Sequence, residues 1–134
     1  MDIAPIIDKL NTGLFINGQW REAEGGKTID VLNPATGDLI TTVADGTAAD
    51  AAEAIKVAGD TQESWAATPP RERAEILRRA FELLIERADD IAAVMTAEMG
   101  KPFAESKGEV TYGAEFFRWF SEEAVRVGGE YTQS

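Results

Sequence analysis

The chain contains neither cysteine nor histidine. Without a thiol there is no thiolate nucleophile and no disulfide, and without an imidazole there is no general base of the commonest kind. A zinc site built on cysteine and histidine is excluded with them. Any chemistry in these residues would rest on carboxylates, lysine, serine or threonine alone, and the expectation is that this stretch performs none by itself. Long apolar runs are missing too: they last only a few residues, against the ~20 that span a bilayer. No basic segment followed by an apolar one opens the chain, so a secretory leader is not expected and the cytoplasm is. Basic residues are scarce, 13 Lys and Arg against 24 Asp and Glu, for a net charge of −11. That balance repels phosphate backbones and anionic headgroups, so neither nucleic acid nor membrane is expected as a partner. Repeats and low-complexity tracts are absent.

What is present suits one soluble domain. The length is 134 residues, enough to bury a real core, with 44% hydrophobic and 28% charged residues. Residues 1–13 mix Pro5, Asn11 and Gly13 with a short apolar patch and read as an arm. In Leu14-Phe15-Ile16-Asn17-Gly18-Gln19-Trp20, an Asn-Gly pair divides two apolar or aromatic runs. This is the strongest short-range hairpin signal, because a type I′ turn needs positive φ at both central residues. Thr28 to Leu32 and Leu39 to Val43 read as further strands around the turn Asn33-Pro34-Ala35-Thr36-Gly37. A small antiparallel sheet is therefore expected over 14–44, with Gly25-Gly26 as one of its bends.

One triplet in this region invites a different reading. Gly26-Lys27-Thr28 matches the closing half of a phosphate-binding loop, G-x-x-x-x-G-K-[ST]. The first glycine position holds Arg21, and Glu22 and Glu24 would repel phosphate. Such a loop also needs a helix opening directly after it, and here a strand and then Asn33-Pro34 follow. The bend of a hairpin is the better reading.

From Thr47 the apolar period changes to that of a helix. Thr47 and Asp50 form a capping-box-like start. Ala51, Ile55, Ala58, Gln62 and Trp65 then share one stripe, for a first helix over 47–66. Thr68 is expected as the next N-cap, with Pro69 in the first turn. Leu77, Phe81, Leu84, Ala88, Ile91, Met95 and Met99 follow at spacings of three and four, predicting one long helix over 69–99. Arg71–Glu75 and Glu75–Arg79 pairs would lace its outer face, each contributing ~0.3 kcal/mol. The methionine-bearing stripe reads as core. Gly100 is placed as the left-handed residue after the helix and Pro102 as the stop or the start of a third helix, which is expected over 102–127. Its apolar positions are Phe103, Val110, Ala114, Phe117, Phe120, Ala124 and Val127. Gly108 and Gly113 interrupt it, as glycines at a close helix approach or a kink do. Gly128-Gly129 ends it, and Tyr131-Thr132 begins something strand-like. The fold class is α+β: a small N-terminal antiparallel sheet followed by three helices.

The order of these segments resembles the N-terminal part of aldehyde dehydrogenases. The match is carried by Phe15-Ile16-Asn17-Gly18-Gln19-Trp20, Asn33-Pro34-Ala35-Thr36-Gly37, Pro70-Arg71-Glu72-Arg73 and Glu98-Met99-Gly100-Lys101-Pro102. With Tyr112-Gly113-Ala114-Glu115-Phe116-Phe117-Arg118-Trp119-Phe120 added, it is most similar to the succinate-semialdehyde dehydrogenase branch. The resemblance implies an α/β parent about three times longer, in which a cysteine thiolate attacks the aldehyde. Hydride then passes to NAD or NADP, and a glutamate-activated water hydrolyses the thioester. The cysteine, the glutamate and the dinucleotide-binding strands all come later in the family than these residues. On this reading residues 14–134 are the first part of the cofactor-binding domain, 14–44 as sheet and 47–127 as helices. No catalytic and no cofactor-binding residue is expected here, and no cofactor is expected to bind this chain alone. The expected partners are the rest of the parent chain and further copies in a homo-oligomer.

The resemblance also implies two site readings. Glu98, with backbone carbonyls near Val31 and Leu32, matches a family position that binds a structural monovalent cation; the alternative is a solvated residue near a helix end. Carboxylate and carbonyl oxygens suit such a hard ion. Arg118 and Trp119 match a helix that lines a substrate entrance; the alternative is core packing with a salt bridge. From a different class, the chain could act as a stand-alone acidic helical module that packs its apolar stripes on a partner.

Overall fold

The structure is a computed structural model that describes residues 3–129 and 132. A short helix α1 (Ala4–Ile7) lies in the expected arm, with Pro5 in its first turn. Strands β1 (Leu14–Ile16) and β2 (Gln19–Arg21) form the predicted hairpin, with Phe15 opposite Trp20 and their rings 5.0 Å apart. Asn17 and Gly18 both take positive φ, 54° and 73°, as the primed turn requires. Strands β3 (Thr28–Leu32) and β4 (Leu39–Ala44) pair antiparallel. The Asn33 side chain closes their turn by accepting from the Ala35 N–H at 2.9 Å, and the Gly37 N–H donates to the Asn33 carbonyl at 2.8 Å.

The single expected sheet is two separate two-stranded sheets. Ala23 to Gly26 make a tight turn, the Gly26 N–H donating to the Ala23 carbonyl at 2.9 Å with Gly25 at φ 83°. That turn sends β3 away from β2 rather than back along it, so Gly25-Gly26 bends the chain but closes no hairpin. Lys27-Thr28 opens β3, as expected, and no helix follows it.

Four further helices follow: α2 (Ala48–Ala67), α3 (Pro70–Glu86), α4 (Ala88–Met99) and α5 (Phe103–Glu123). The long helix expected over 69–99 is therefore broken. At Arg87 the backbone leaves helical geometry (φ −102°, ψ 15°), and Asp89 and Asp90 sit in the first turn of α4, where acidic side chains favour a helix start. The break lets α3 and α4 leave each other and pack separately on α5. Thr68 finishes α2, its hydroxyl donating to the Ser64 carbonyl at 3.2 Å, while Pro69 takes the N-cap of α3 and Pro70 its first position. Gly100 ends α4 in the left-handed conformation, as predicted. α5 closes at Glu123, four residues early. The strand expected to begin at Tyr131 lies outside the described residues.

The outer pairs of α3 also differ. Glu75 pairs with Arg78 at 2.7 Å, and Glu82 takes both Arg78 and Arg79. Carboxylates at spacings of three or four on either side of Arg78 win over the expected Arg71–Glu75 and Glu75–Arg79 pairs.

The core between α4 and α5 is built of small residues. Ala88, Ala92 and Val110 are buried, with Ile91, Met95 and Phe103 packed against them. The Thr96 and Ser106 hydroxyls, 2.8 Å apart, join the two helices inside it. Ala74 on α3 and Ala114 and Ser121 on α5 are buried as well. No large side chain is fully buried among the described residues. The α2 stripe is open to solvent, with Ile55 73% exposed. Total accessible surface is 9833 Å². A compact protein of this mass exposes about 6,900 Å², so the excess is about 2,900 Å².

Candidate functional site

The most organised polar site lies where β2, the turn after it and α2 meet. Asp50 is only 4% exposed and accepts from four groups. The Thr47 N–H donates at 2.8 Å, the Thr47 hydroxyl at 2.9 Å, the Glu24 N–H at 3.1 Å, and Arg21 Nη1 stands 2.9 Å away. In return the Asp50 N–H donates to Thr47 Oγ1 at 3.2 Å, which completes the capping box read from the sequence. The Thr47 N–H is the largest influence holding the Asp50 carboxyl at about 2, below its ordinary 3.8; burial opposes it, and Glu24, the Thr47 hydroxyl and Arg21 assist. Arg21 reaches on to Glu53 Oε2 at 2.7 Å. Every acceptor position of Asp50 is engaged, so this site fastens α2 to the strands and has nothing left for a substrate. The sequence showed the cap but not the Arg21 and Glu24 contacts.

The cation ligands implied by the resemblance are placed as follows. Glu98 is exposed near the end of α4, on the rim of a groove of about 850 Å³ between α1 and α4 that Ile6, Leu10, Ile91 and Met95 also line. Val31 is half-buried and Leu32 exposed on β3. Between them the ladder slips by one: Val31 faces Thr41 but Leu32 faces Leu39, leaving Ile40 as the extra residue of a bulge. The two segments converge at one corner, since a side-chain carbon added at Gly100 would stand 3.2 Å from Pro34 Cγ. No group of three acidic side chains gathers there or elsewhere among the described residues.

On α5 the two named residues part company. Arg118 turns towards α3, ion-paired with Glu115 at 2.5 Å and with its guanidinium 5.7 Å from the centre of the Phe81 ring. That is the packing alternative for Arg118. Trp119 is 63% exposed, so core packing does not hold for it. It shares an open aromatic face with Tyr112, Phe116 and Phe120, the first two rings meeting edge to face at 5.1 Å. Gly108 and Gly113 meet nothing within 4 Å at the position of an added side chain, so neither marks a close helix approach in this structure.

A pyrophosphate is held by a glycine-rich turn that opens a helix, and the glycine pair here opens a strand. No helix among the described residues is long and apolar enough to cross a membrane.

Comparison with known proteins gives the context for these features. The sequence profile of the aldehyde dehydrogenase family matches residues 20–134. A glutarate-semialdehyde dehydrogenase from Pseudomonas putida is 49% identical over 116 residues, 87% of this chain and 24% of that enzyme. An NADP-dependent succinate-semialdehyde dehydrogenase from Escherichia coli is 46% identical, again over 87% of this chain and 24% of the relative. Among solved structures, an aldehyde dehydrogenase from Brucella melitensis biovar abortus superimposes with a TM-score of 0.90 at 47% identity, covering 93% of this chain and 26% of its own. The chain thus spans about a quarter of the length of the curated relatives it matches. By profile, sequence and backbone, the chain belongs to the aldehyde dehydrogenase family.

Proposed function

We propose that these residues are the N-terminal segment of an NAD(P)-dependent aldehyde dehydrogenase whose substrate is a short aldehyde with an anionic far end. Succinate semialdehyde is the first candidate. The observation that carries the reading is the identity near one half to semialdehyde dehydrogenases across most of this chain. Relatives named for glutarate semialdehyde, succinate semialdehyde and 3-sulfolactaldehyde share an aldehyde and an acidic group on one small molecule.

In the whole enzyme this segment does not touch the reacting atoms. Its role is to build the edge of the cofactor-binding domain: residues 14–44 supply the two hairpins and 47–127 the outer helices. Glu98 and the carbonyls at the Val31–Leu32 bulge form the cation site proposed for the corner between β3 and α4; the interrupted ladder there supports it. The open aromatic face of α5, with Trp119 at its centre, lies at the substrate entrance. The working protein is a cytoplasmic homo-oligomer.

Purified alone, the chain reduces neither NAD nor NADP when given succinate semialdehyde. The expectation rests on the absence of any cysteine to form a thioester. Aldehyde-dependent reduction above background by this cysteine-free chain would overturn the proposal.

A second reading, an acidic helical module that binds a partner through its apolar stripes, is favoured by the large exposed surface. It differs in one measurable respect: such a module would be a well-behaved folded protein without the rest of an enzyme.

A further inference from the structure

Arg73 is the exception among the cations of this chain. Arg21, Lys56, Arg78, Arg79, Lys101, Lys107, Arg118 and Arg126 each have a carboxylate partner. Lys9, Lys27, Arg71 and Arg87 have none among the described residues, and all four are exposed, where water serves them. Arg73 is half-buried rather than exposed, and it too has none among the described residues. Its Nε is shut off from solvent with no acceptor in reach. Arg21 shares that feature at Nε, but its two terminal nitrogens hold Asp50 and Glu53.

The surroundings of Arg73 say what is missing. A helix turns by about 100° per residue, so Arg73, Ile76, Ala80 and Leu83 form one strip along α3. It lies beside the Ala74, Leu77 and Phe81 strip that meets α5. Ile76 is 54% exposed on it, while Ala80 and Leu83 are half-buried. An apolar strip with a guanidinium at one end asks for a covering segment that brings its own acceptor. Covering the strip takes Arg73 out of water, and a desolvated guanidinium is tolerated when it is paired with a carboxylate, ideally through two parallel hydrogen bonds.

We propose that Arg73 anchors the polypeptide that completes this domain in the longer enzyme, taking a carboxylate side chain from it while Ile76 and Leu83 pack beneath. The inference rests on reading the chain as one quarter of an aldehyde dehydrogenase, as its relatives' lengths indicate. The occupant is the parent's own later chain, because these residues span only about a quarter of the relatives they match. Among the described residues the carboxylate has no counterpart.

The test compares two settings of the same substitution. Residues 14–134 replace the matching quarter of the Pseudomonas putida glutarate-semialdehyde dehydrogenase, giving a full-length chimera. Arg73→Leu and Arg73→Lys are made in the chimera and in the 134-residue chain. The proposal expects Arg73→Leu to lower the melting temperature of the chimera by several degrees, with Arg73→Lys recovering part of the loss. In the 134-residue chain neither change shifts the urea midpoint downwards. A chimera that loses solubility with leucine but keeps it with lysine counts the same way. Equal losses in both settings would place the partner inside these residues and overturn the proposal, and so would an Arg73→Leu chimera that melts with its parent. An unsubstituted chimera that folds but shows no activity would instead sink the proposed function, and the melting comparison still reads Arg73.

Discussion

Arg21 and Asp50, 29 positions apart, meet at 2.9 Å and join the second strand to the first turn of α2. The contact matters because α2 has little else to hold it: Asp50 is the one buried residue of its 20. The carboxylate is acceptor to the Thr47 and Glu24 N–H groups as well, so one side chain fixes the cap, the turn and the strand together.

Thr47→Ala should therefore cost about 1 kcal/mol, as for other N-cap threonines, read as a drop in urea midpoint at neutral pH. Asp50→Asn should lower the midpoint too, and should also change its pH dependence. The folded carboxyl lies at about 2 against an ordinary 3.8. Its contribution is thus fully present above pH 3.8 and is lost as the pH falls through 2. The unsubstituted chain should weaken across that window more steeply than the asparagine variant. Identical slopes would show that the carboxylate has no special hold on the fold.

Glycines in two settings should respond with opposite sign. Gly100 has φ 74°, and an added carbon there would stand 3.2 Å from Pro34 Cγ. Gly100→Ala should destabilise the chain by about 1 kcal/mol or more. Gly108 and Gly113 lie inside α5 with open space around them. Gly108→Ala and Gly113→Ala should each stabilise this chain by about 0.5–1 kcal/mol, measured by chemical denaturation.

The core of alanines should tolerate no enlargement. Ala92 is fully buried where α4 meets α5. Ala92→Leu should cost about 1–3 kcal/mol through forced shifts of Val110 and its neighbours. A neutral result would mean that α4 and α5 are loosely joined.

The exposed apolar surface predicts behaviour in solution. Tyr112, Phe116, Trp119 and Phe120 stand open on α5, and Ile55 and Trp65 on α2. Each such side chain contributes about 1.5–3 kcal/mol when fully buried. The isolated chain should dimerise or bind a hydrophobic dye strongly, and Trp119→Ser should reduce the response with little loss of stability. Light scattering of a clean monomer that binds no dye and melts cooperatively would favour the stand-alone module instead.

Local chemistry in the sequence was readable where it is self-contained. Asn17-Gly18 demands a primed turn, Thr47 with Asp50 a cap, and Gly100 a left-handed stop, whatever surrounds them. The break at Arg87 was hidden because Leu84, Ala88 and Ile91 keep the helical spacing across it; only the pull of α3 and α4 onto separate parts of α5 reveals it. The α2 stripe showed which face wants a partner, but periodicity cannot say whether that partner is on the same chain. The family was legible from motifs, whereas the geometry around Glu98, Val31 and Leu32 was not, since carbonyl availability depends on a bulge that no residue type announces. Arg73 was invisible for a further reason: its interest lies in what its neighbours fail to offer.

The central claim is that these residues form the opening quarter of a semialdehyde dehydrogenase. The full-length chimera tests it most directly, assayed by aldehyde-dependent reduction of the nicotinamide cofactor beside the 134-residue chain. The account predicts turnover of glutarate or succinate semialdehyde by the chimera and none by the chain. A soluble, correctly assembled chimera without activity, or a chain active alone, would contradict it.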